Sequence, residues 1–328
     1  VIAIRSRLPQ GALGVALLYI LLVLFWGSTF LWVELALEQT SPLTIIGTRL
    51  LVGAVVVVAV VGILGSGVRE AHSFSALRPW FVPGIVLALL AAVIPGLLIS
   101  VAQQQIESGT ASIVNATAPL WTALLTWIVI GGAAGRLSRA QVLGLLIGVL
   151  GVGLLVGRAP SSMEVQGQLL VVGVTLVYSS GGVYAQRTFG GAPTLAAAIM
   201  ASVIGAVIAF PLGVAGWIAN PPGVSALAAM LVLGATSSSL ALLIYFELIR
   251  RLGATRTLTV TYLQPIVAIG LGALLLSEEL RLLNFVGLAL ILLGVALVNG
   301  QLGGGGRGRP AGAPPQAPLP SLEPDPPD

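Results

Sequence analysis

The sequence predicts an all-α integral membrane protein of ten transmembrane helices, arranged as two inverted five-helix repeats. Three observations lead there. Hydrophobic residues make up 57% of the 328 residues and charged residues only 8%, where a soluble domain carries roughly a quarter charged. Apolar runs recur at the ~20-residue length that a hydrocarbon core of ~30 Å demands of a helix. They are too long for strands, and an open sheet would leave backbone groups unpaired in lipid. The chain also echoes itself. A shift of 152 residues lays Leu17 on Leu169, Trp26 on Tyr178, Ser28 on Ser180, Trp32 on Tyr184, Gly53 on Gly205 and Ala54 on Ala206, with Pro42 one residue past Pro193. A chain that repeats at about half its length reads as two copies of one unit.

The spans are expected at about 13–33, 43–64, 81–102, 110–130, 141–157, 168–188, 193–217, 226–248, 255–276 and 283–300. Turn signals separate them: Gly65-Ser66-Gly67, Gly131-Gly132, Gly190-Gly191-Ala192-Pro193 and Asn220-Pro221-Pro222-Gly223. The fifth span is short, but Gly144, Gly148 and Gly151 suit close helix packing. Residues 1–12 form a cytoplasmic N-terminus, 13–157 the first repeat, 168–300 the second, and 301–328 a tail. That tail, rich in Gly and Pro, cannot bury enough apolar surface to order itself. The run after Arg5 and Arg7 is too long for a signal peptide and belongs to the repeat.

Arginine sets the expected orientation. With the N-terminus inside, the inner segments hold Arg5, Arg7, Arg69, Arg78, Arg136, Arg139, Arg187, Arg250, Arg251, Arg256, Arg307 and Arg309, and the outer loops only Arg158 and Arg281. The positive-inside rule then places both termini in the cytoplasm of a multi-pass plasma-membrane protein. Trp80-Phe81, Trp32 and Trp217 fall where aromatic belts lie. Five spans per half make the second copy enter from the opposite side. That is the plan of many secondary transporters, whose substrate site lies near the midplane between the repeats.

Several chemistries are excluded. There is no cysteine and one histidine, His72, in an inner loop, so no thiol chemistry, catalytic triad or metal centre can be assembled. No GxxxxGK[ST] motif is present for ATP. The net charge of +4 comes from arginines scattered through loops, which fits orientation rather than nucleic-acid binding. No acid lies convincingly mid-span, so a carboxylate relay for protons is not indicated, and no Na⁺ site is recognisable. Glu247, followed by Arg250 and Arg251, reads as a surface ion pair.

The candidate substrate-binding residues are Trp26, Arg49, Asn115, Tyr178, Thr261, Tyr262 and Gln264. Arg49 stands seven residues past Pro42, ~10 Å into its helix, where a charge costs ~2.5–3.5 kcal/mol on the mildest scale. Three roles are open to it: counter-charge for a substrate carboxylate or phosphate, snorkelling to headgroups, or pairing with Glu34 or Glu38. Pro119 and Pro265 fall near mid-span in the fourth and ninth helices, as candidate helix breaks or gating points. Beside them gather Asn115 and Thr117, then Thr257, Thr261, Tyr262 and Gln264, with Thr257, Thr261 and Gln264 on one helical face. Such a face is interhelical glue or cavity lining. Trp26 and its equivalent Tyr178 stack on substrate or fill core. Ser237-Ser238-Ser239 marks close helix approach.

The stretch FWGSTFLWVELALEQTSPLTIIGTRLLVGA, the run from Ile113 to Pro119 and LLSEELRLLNFVGLALILLGVALV from Leu275 resemble the EamA domain. Over about residues 13–300 the chain resembles an EamA-type member of the drug/metabolite transporter superfamily. The resemblance implies ten helices, an inverted repeat and a central cavity opening alternately to each side. It implies transport of small organic metabolites, foremost the efflux of amino acids or related compounds. An importer of nucleobases, sugars or other neutral metabolites, or an exporter of drug-like compounds, is the alternative. It implies no enzymatic activity and no cofactor. The expected partners are a small-molecule substrate and the lipid bilayer, not nucleic acid, with monomer and homodimer both compatible. The family's Gly-Glu before the final span has its acid at Glu279 in the second repeat, but the first repeat has Gly131 to Gly135 and no acid there.

Overall fold

A computed structural model describes residues 11–64, 78–130, 137–156, 161–189, 194–253, 256–257, 259–279 and 281–300. The expectations for Arg5, Arg7, Arg69, His72, Arg136, Arg158, the three glycine turns and the tail lie outside these residues. All regular structure among them is helical. Eight helices are long and apolar enough to cross a membrane, beginning with Gly11–Leu37 and ending with Val224–Leu252. Two shorter apolar helices, Val260–Leu275 and Leu282–Val298, stand where the ninth and tenth spans are expected.

The first span is two helices, α1 (Gly11–Gly27) and α2 (Thr29–Leu37). Close approach explains the join: a Cβ on Gly27 would lie 2.6 Å from the Cβ of Val267. Pro42, whose missing N–H is no loss at a helix start, opens α3 (Pro42–Leu64). The third span runs through α4 (Phe81–Ala88), a π turn at Leu89–Val93 and α5 (Ile94–Ala102). The fourth comprises α6 (Ser108–Asn115) and α7 (Ala118–Ile130), and α8 (Arg139–Val156) follows. In the second half come α9 (Ser162–Thr188) and α10 (Thr194–Ala219). Then α11 (Val224–Ala235), a second π turn at Thr236–Leu240 and α12 (Ala241–Leu252) form one span. Val260–Leu275 is α13 and Leu282–Val298 is α14.

The two π turns fall in the third helix of each half and have different chemical causes. In the first, Pro95 cannot donate to the carbonyl one turn back, and the ladder reopens around it. In the second, hydroxyls compete for the same carbonyls: Thr236 Oγ1 donates to Val232 O at 2.7 Å and Ser239 Oγ to Gly234 O at 3.2 Å.

Packing is reciprocal between the halves. α8 lies along α14, and α3 along α10. The first span packs on α11, α12 and α13 of the second half, while α9 packs on α5, α6 and α7 of the first. Backbones meet where side chains are missing. A Cβ on Gly144 would lie 2.5 Å from Gly294 O, and one on Gly294 would lie 2.5 Å from Gly144 O. A Cβ on Gly47 would come within 2.3 Å of Gly213 Cα. The largest core cluster draws on both halves, with Phe30, Ile113 and Leu120 against Val171, Ala268 and Ile291.

Gly294→Ala should therefore force α8 and α14 apart and destabilise the protein by about 1–3 kcal/mol, read as a lower thermal midpoint in detergent. Gly153→Ala, on the same α8 but with nothing within 4 Å of the added Cβ, should leave that midpoint unchanged or slightly higher.

Candidate functional site

Arg49 projects from α3 into the seam between the halves. Its Nε donates to Ser238 Oγ at 2.8 Å, inside the second π turn. Glycines on three helices let the guanidinium, Ser238 and the α3 backbone come together. A Cβ on Gly96 of α5 would stand 3.8 Å from Nη1, one on Gly53 would meet Ser238 Cβ at 2.9 Å, and one on Gly234 would meet Arg49 O at 2.7 Å. The Tyr178 hydroxyl on α9 lies within electrostatic range of the guanidinium. Among the described residues no carboxylate is within ion-pair distance of Arg49. Glu34, one of its possible partners in the sequence, is engaged elsewhere by Gln103. Nor does the side chain reach out to snorkel, since its Nε is tied inward to Ser238. A guanidinium carries five N–H donors. Here one is held by a neutral hydroxyl, and the terminal amino groups keep their capacity for bidentate pairing with a carboxylate or phosphate.

The other candidates divide. Tyr178 shares the Arg49 environment and packs on the large core cluster beside Leu98. Tyr262 packs on that same cluster, and its hydroxyl accepts from Asn299 Nδ2. Trp26 faces Tyr245 at a ring-centroid distance of 5.1 Å, in a separate cluster with Leu22, Leu248 and Val260. Asn115 is half-buried at the end of α6. Thr261 and Gln264 are half-buried on α13, and Thr257 precedes that helix.

The prolines behave differently. Ahead of Pro119, Ala116 and Thr117 separate α6 from α7. Ser179 Oγ of α9 donates to the Ala118 carbonyl at 2.9 Å, and Thr117 Oγ1 to Val114 O at 2.7 Å. Pro265 is buried inside an uninterrupted helix. Glu247 accepts from Arg250 Nε at 2.8 Å and from Arg251 Nε at 2.6 Å, the pairing its spacing suggests.

Three polar residues that shape the interior escaped sequence reasoning. Ser238, read as packing, is the hydrogen-bond partner of Arg49. Gln103 Nε2 donates to Phe30 O at 2.9 Å and to Glu34 Oε2 at 3.0 Å, joining α5 to the first span. Glu278, in the turn between α13 and α14, caps a helix of the other half: its carboxylate accepts from Ser108 N at 2.9 Å and Gly109 N at 3.0 Å. Its neighbour Glu279, which fits the family pattern, is 79% exposed and 3.6 Å from Arg281. The only early signal was the Ser-Glu-Glu run itself.

Comparison with known proteins follows the same outline. The EamA-like transporter family matches residues 13–157 and again 165–300. The uncharacterized inner membrane transporter YedA of Escherichia coli (strain K12) is 28% identical over 279 residues, 85% of this chain and 88% of that protein. The uncharacterized transporter YvbV of Bacillus subtilis (strain 168) is 25% identical, over 87% of this chain and 91% of its own. A protein of known crystal structure superposes with a TM-score of 0.58 at 22% identity, over 88% of this chain and 96% of its own. It shares the fold.

Replacing Glu278 by Ala should strand two backbone donors at the α6 N-terminus. The expected cost is about 2 kcal/mol, charge-assisted bonds being the stronger kind. Thermal unfolding in detergent checks it, with Glu279→Ala as the comparison expected to leave the midpoint in place.

Proposed function

The chain belongs to the EamA-like transporter family, and from that premise we propose a secondary transporter that exports amino acids or related small metabolites. In this reading ten spans form two inverted repeats in the plasma membrane, with both termini cytoplasmic. The repeats rock about a central site and expose it to each side in turn. The reciprocal packing of the halves and the paired π turns support the two-fold plan. The outward direction rests on the resemblance.

One observation carries the substrate class. Arg49 is a cation inside an apolar span, between the halves, bonded to a neutral hydroxyl. A charge kept there at such cost calls for an anionic group that arrives with the substrate. A carboxylate suits the planar guanidinium fork. Tyr178 stands beside it to donate to the same anion. Asn115 and Gln264, half-buried on the two proline-bearing spans, are assigned to the cavity wall.

Counterflow in proteoliposomes tests this, using amino acids, nucleobases, sugars and cationic drugs. Amino acids should exchange, Arg49→Gln should cut exchange at least about tenfold, and Arg49→Lys should restore only part of it, since an ammonium lacks the fork. Exchange of neutral or cationic compounds alone, or a silent Arg49→Gln that inserts normally, moves the substrate to the neutral class. The cavity wall is tested on the cysteine-free chain: Asn115→Cys and Gln264→Cys should both react with water-soluble thiol reagents. Resistance of both in every condition removes them from the wall.

A further inference from the structure

The helices sort into two groups, each drawn from both halves. α1, α2 and α3 pack with α11, α12 and α13, and α4 to α7 pack with α9 and α10. The groups meet along α3, which lies against α10 and α5. They meet again at the end that carries the α2–α3, α5–α6 and α13–α14 turns, where α6 packs on α13 and α2. Two polar contacts cross between the groups at that end. Gln103, just past α5, donates to Phe30 O and Glu34 Oε2 of α2. Glu278, in the α13–α14 turn, accepts from the Ser108 and Gly109 amides. Beneath it the helices touch: a Cβ on Gly272 would stand 3.0 Å from Ser108 Oγ, and one on Gly109 would stand 3.7 Å from Ile269 Cα. At the opposite end Tyr19 Oη and Thr259 Oγ1 share a hydrogen bond of 2.7 Å, and Trp80 stacks on Phe189 at a ring-centroid distance of 5.3 Å, each pair within its own group.

Both contacts are built to let go. The third span ends at Ala102 and the fourth begins at Ser108. The donors at Gln103, Ser108 and Gly109 therefore stand at span ends, where water can replace a lost partner. Glu278 itself is half-buried. The shut rim also holds polar atoms that are buried without a partner: Gln103 Oε1, Gln105 Oε1 and Ser108 Oγ. Each costs stability that contact with water would return. Four hydrogen bonds hold the rim closed and three bare polar atoms oppose them, so an open rim lies within energetic reach. Farther in, Arg49 of α3 and Tyr178 of α9 stand within electrostatic range across the same two groups.

We infer that Glu278 and Gln103 latch a gate between the two groups, and that the structure holds this gate shut. Opening separates α6 from α13 and α5 from α2. It hands the Ser108 and Gly109 amides to water and uncovers a path to Arg49 from that end. Other bonds between the halves behave differently. Ser237 to Phe25 O lies inside the first group and Ser179 to Ala118 O inside the second, so both are carried along unbroken. The purpose of the gate rests on the transporter reading and refines it, since the bodies that part each draw on both halves.

The first test uses the cysteine-free chain in detergent. Ser108→Cys, buried under the latch, reports opening by its rate of modification with a water-soluble thiol reagent. Glu278→Ala should raise that rate at least about fivefold, the smallest shift that losing two charge-assisted bonds implies. Glu279→Ala should leave it unchanged. Ser239→Cys, at a position as buried as Ser108 but in the second π turn, controls for unfolding and should not respond. An unchanged Ser108→Cys rate in Glu278→Ala overturns the latch, and so does an equal acceleration at Ser239→Cys. The second test joins Gly109→Cys to Ile269→Cys by oxidation, since their close approach is within disulfide reach. The cross-link should stop counterflow in proteoliposomes, and a reductant should restore it. Cross-linked protein that still exchanges overturns the gate. A Ser108→Cys response in a chain that exchanges nothing leaves the latch standing and removes transport; exchange without that response does the reverse.

Discussion

In lipid no water stands by to satisfy a backbone group, so each interruption of a helix must be repaired by the protein itself. This constraint orders the interior. Around Ser28 the first span is repaired by Ser237, whose hydroxyl donates to Phe25 O at 2.6 Å and accepts from Thr29 Oγ1 at 2.9 Å. Beside the break before Pro119, Ser179 from α9 donates across to Ala118 O. The start of α6 is repaired by Glu278 from the far half. Each repair crosses from one half to the other. Backbone irregularity and inter-repeat adhesion are therefore one feature: a half that moved alone would leave carbonyls or amides bare.

The glycine seams add a second kind of contact between the halves. Between α8 and α14, and between α3 and α10, backbones approach each other at glycines, with Leu155 and Ile291 seated on Gly287 and Gly151 in the first of these seams. Such seams gain dispersion energy from closeness. The hydrogen-bonded crossings and the glycine seams together join the two halves.

Hydropathy anticipated the eight membrane-length helices because length and polarity are local properties. The Gly144, Gly148, Gly151 spacing signalled close packing for the same reason: a stripe of small residues is visible in one helix. The π turns were not legible. One needs a proline and the other a competition among hydroxyls for particular carbonyls, and neither leaves a periodic trace. At the site, Arg49 was conspicuous because a charge in an apolar run is expensive, whereas its partner Ser238 was one of three serines that differ only in facing. Glu278 and Glu279 are adjacent, and the turn geometry alone decides which one caps α6. Gln103 belongs to no motif; what distinguishes it is a pair of acceptors on another helix.

The charges inside the described fold are unevenly placed. Arg49 stands in the seam against a neutral hydroxyl, while Glu34, Glu107 and Glu164 line a cavity at the loop end with Arg281 at its edge. Arg49 has no twin: its repeat position is Ala201, buried among apolar side chains. Pseudo-symmetric packing thus carries an asymmetric charge path, with the cation in the seam and the surplus of carboxylates at one end. Two-fold packing therefore does not require two-fold chemistry: both halves build the seam, and only one of them supplies its charge.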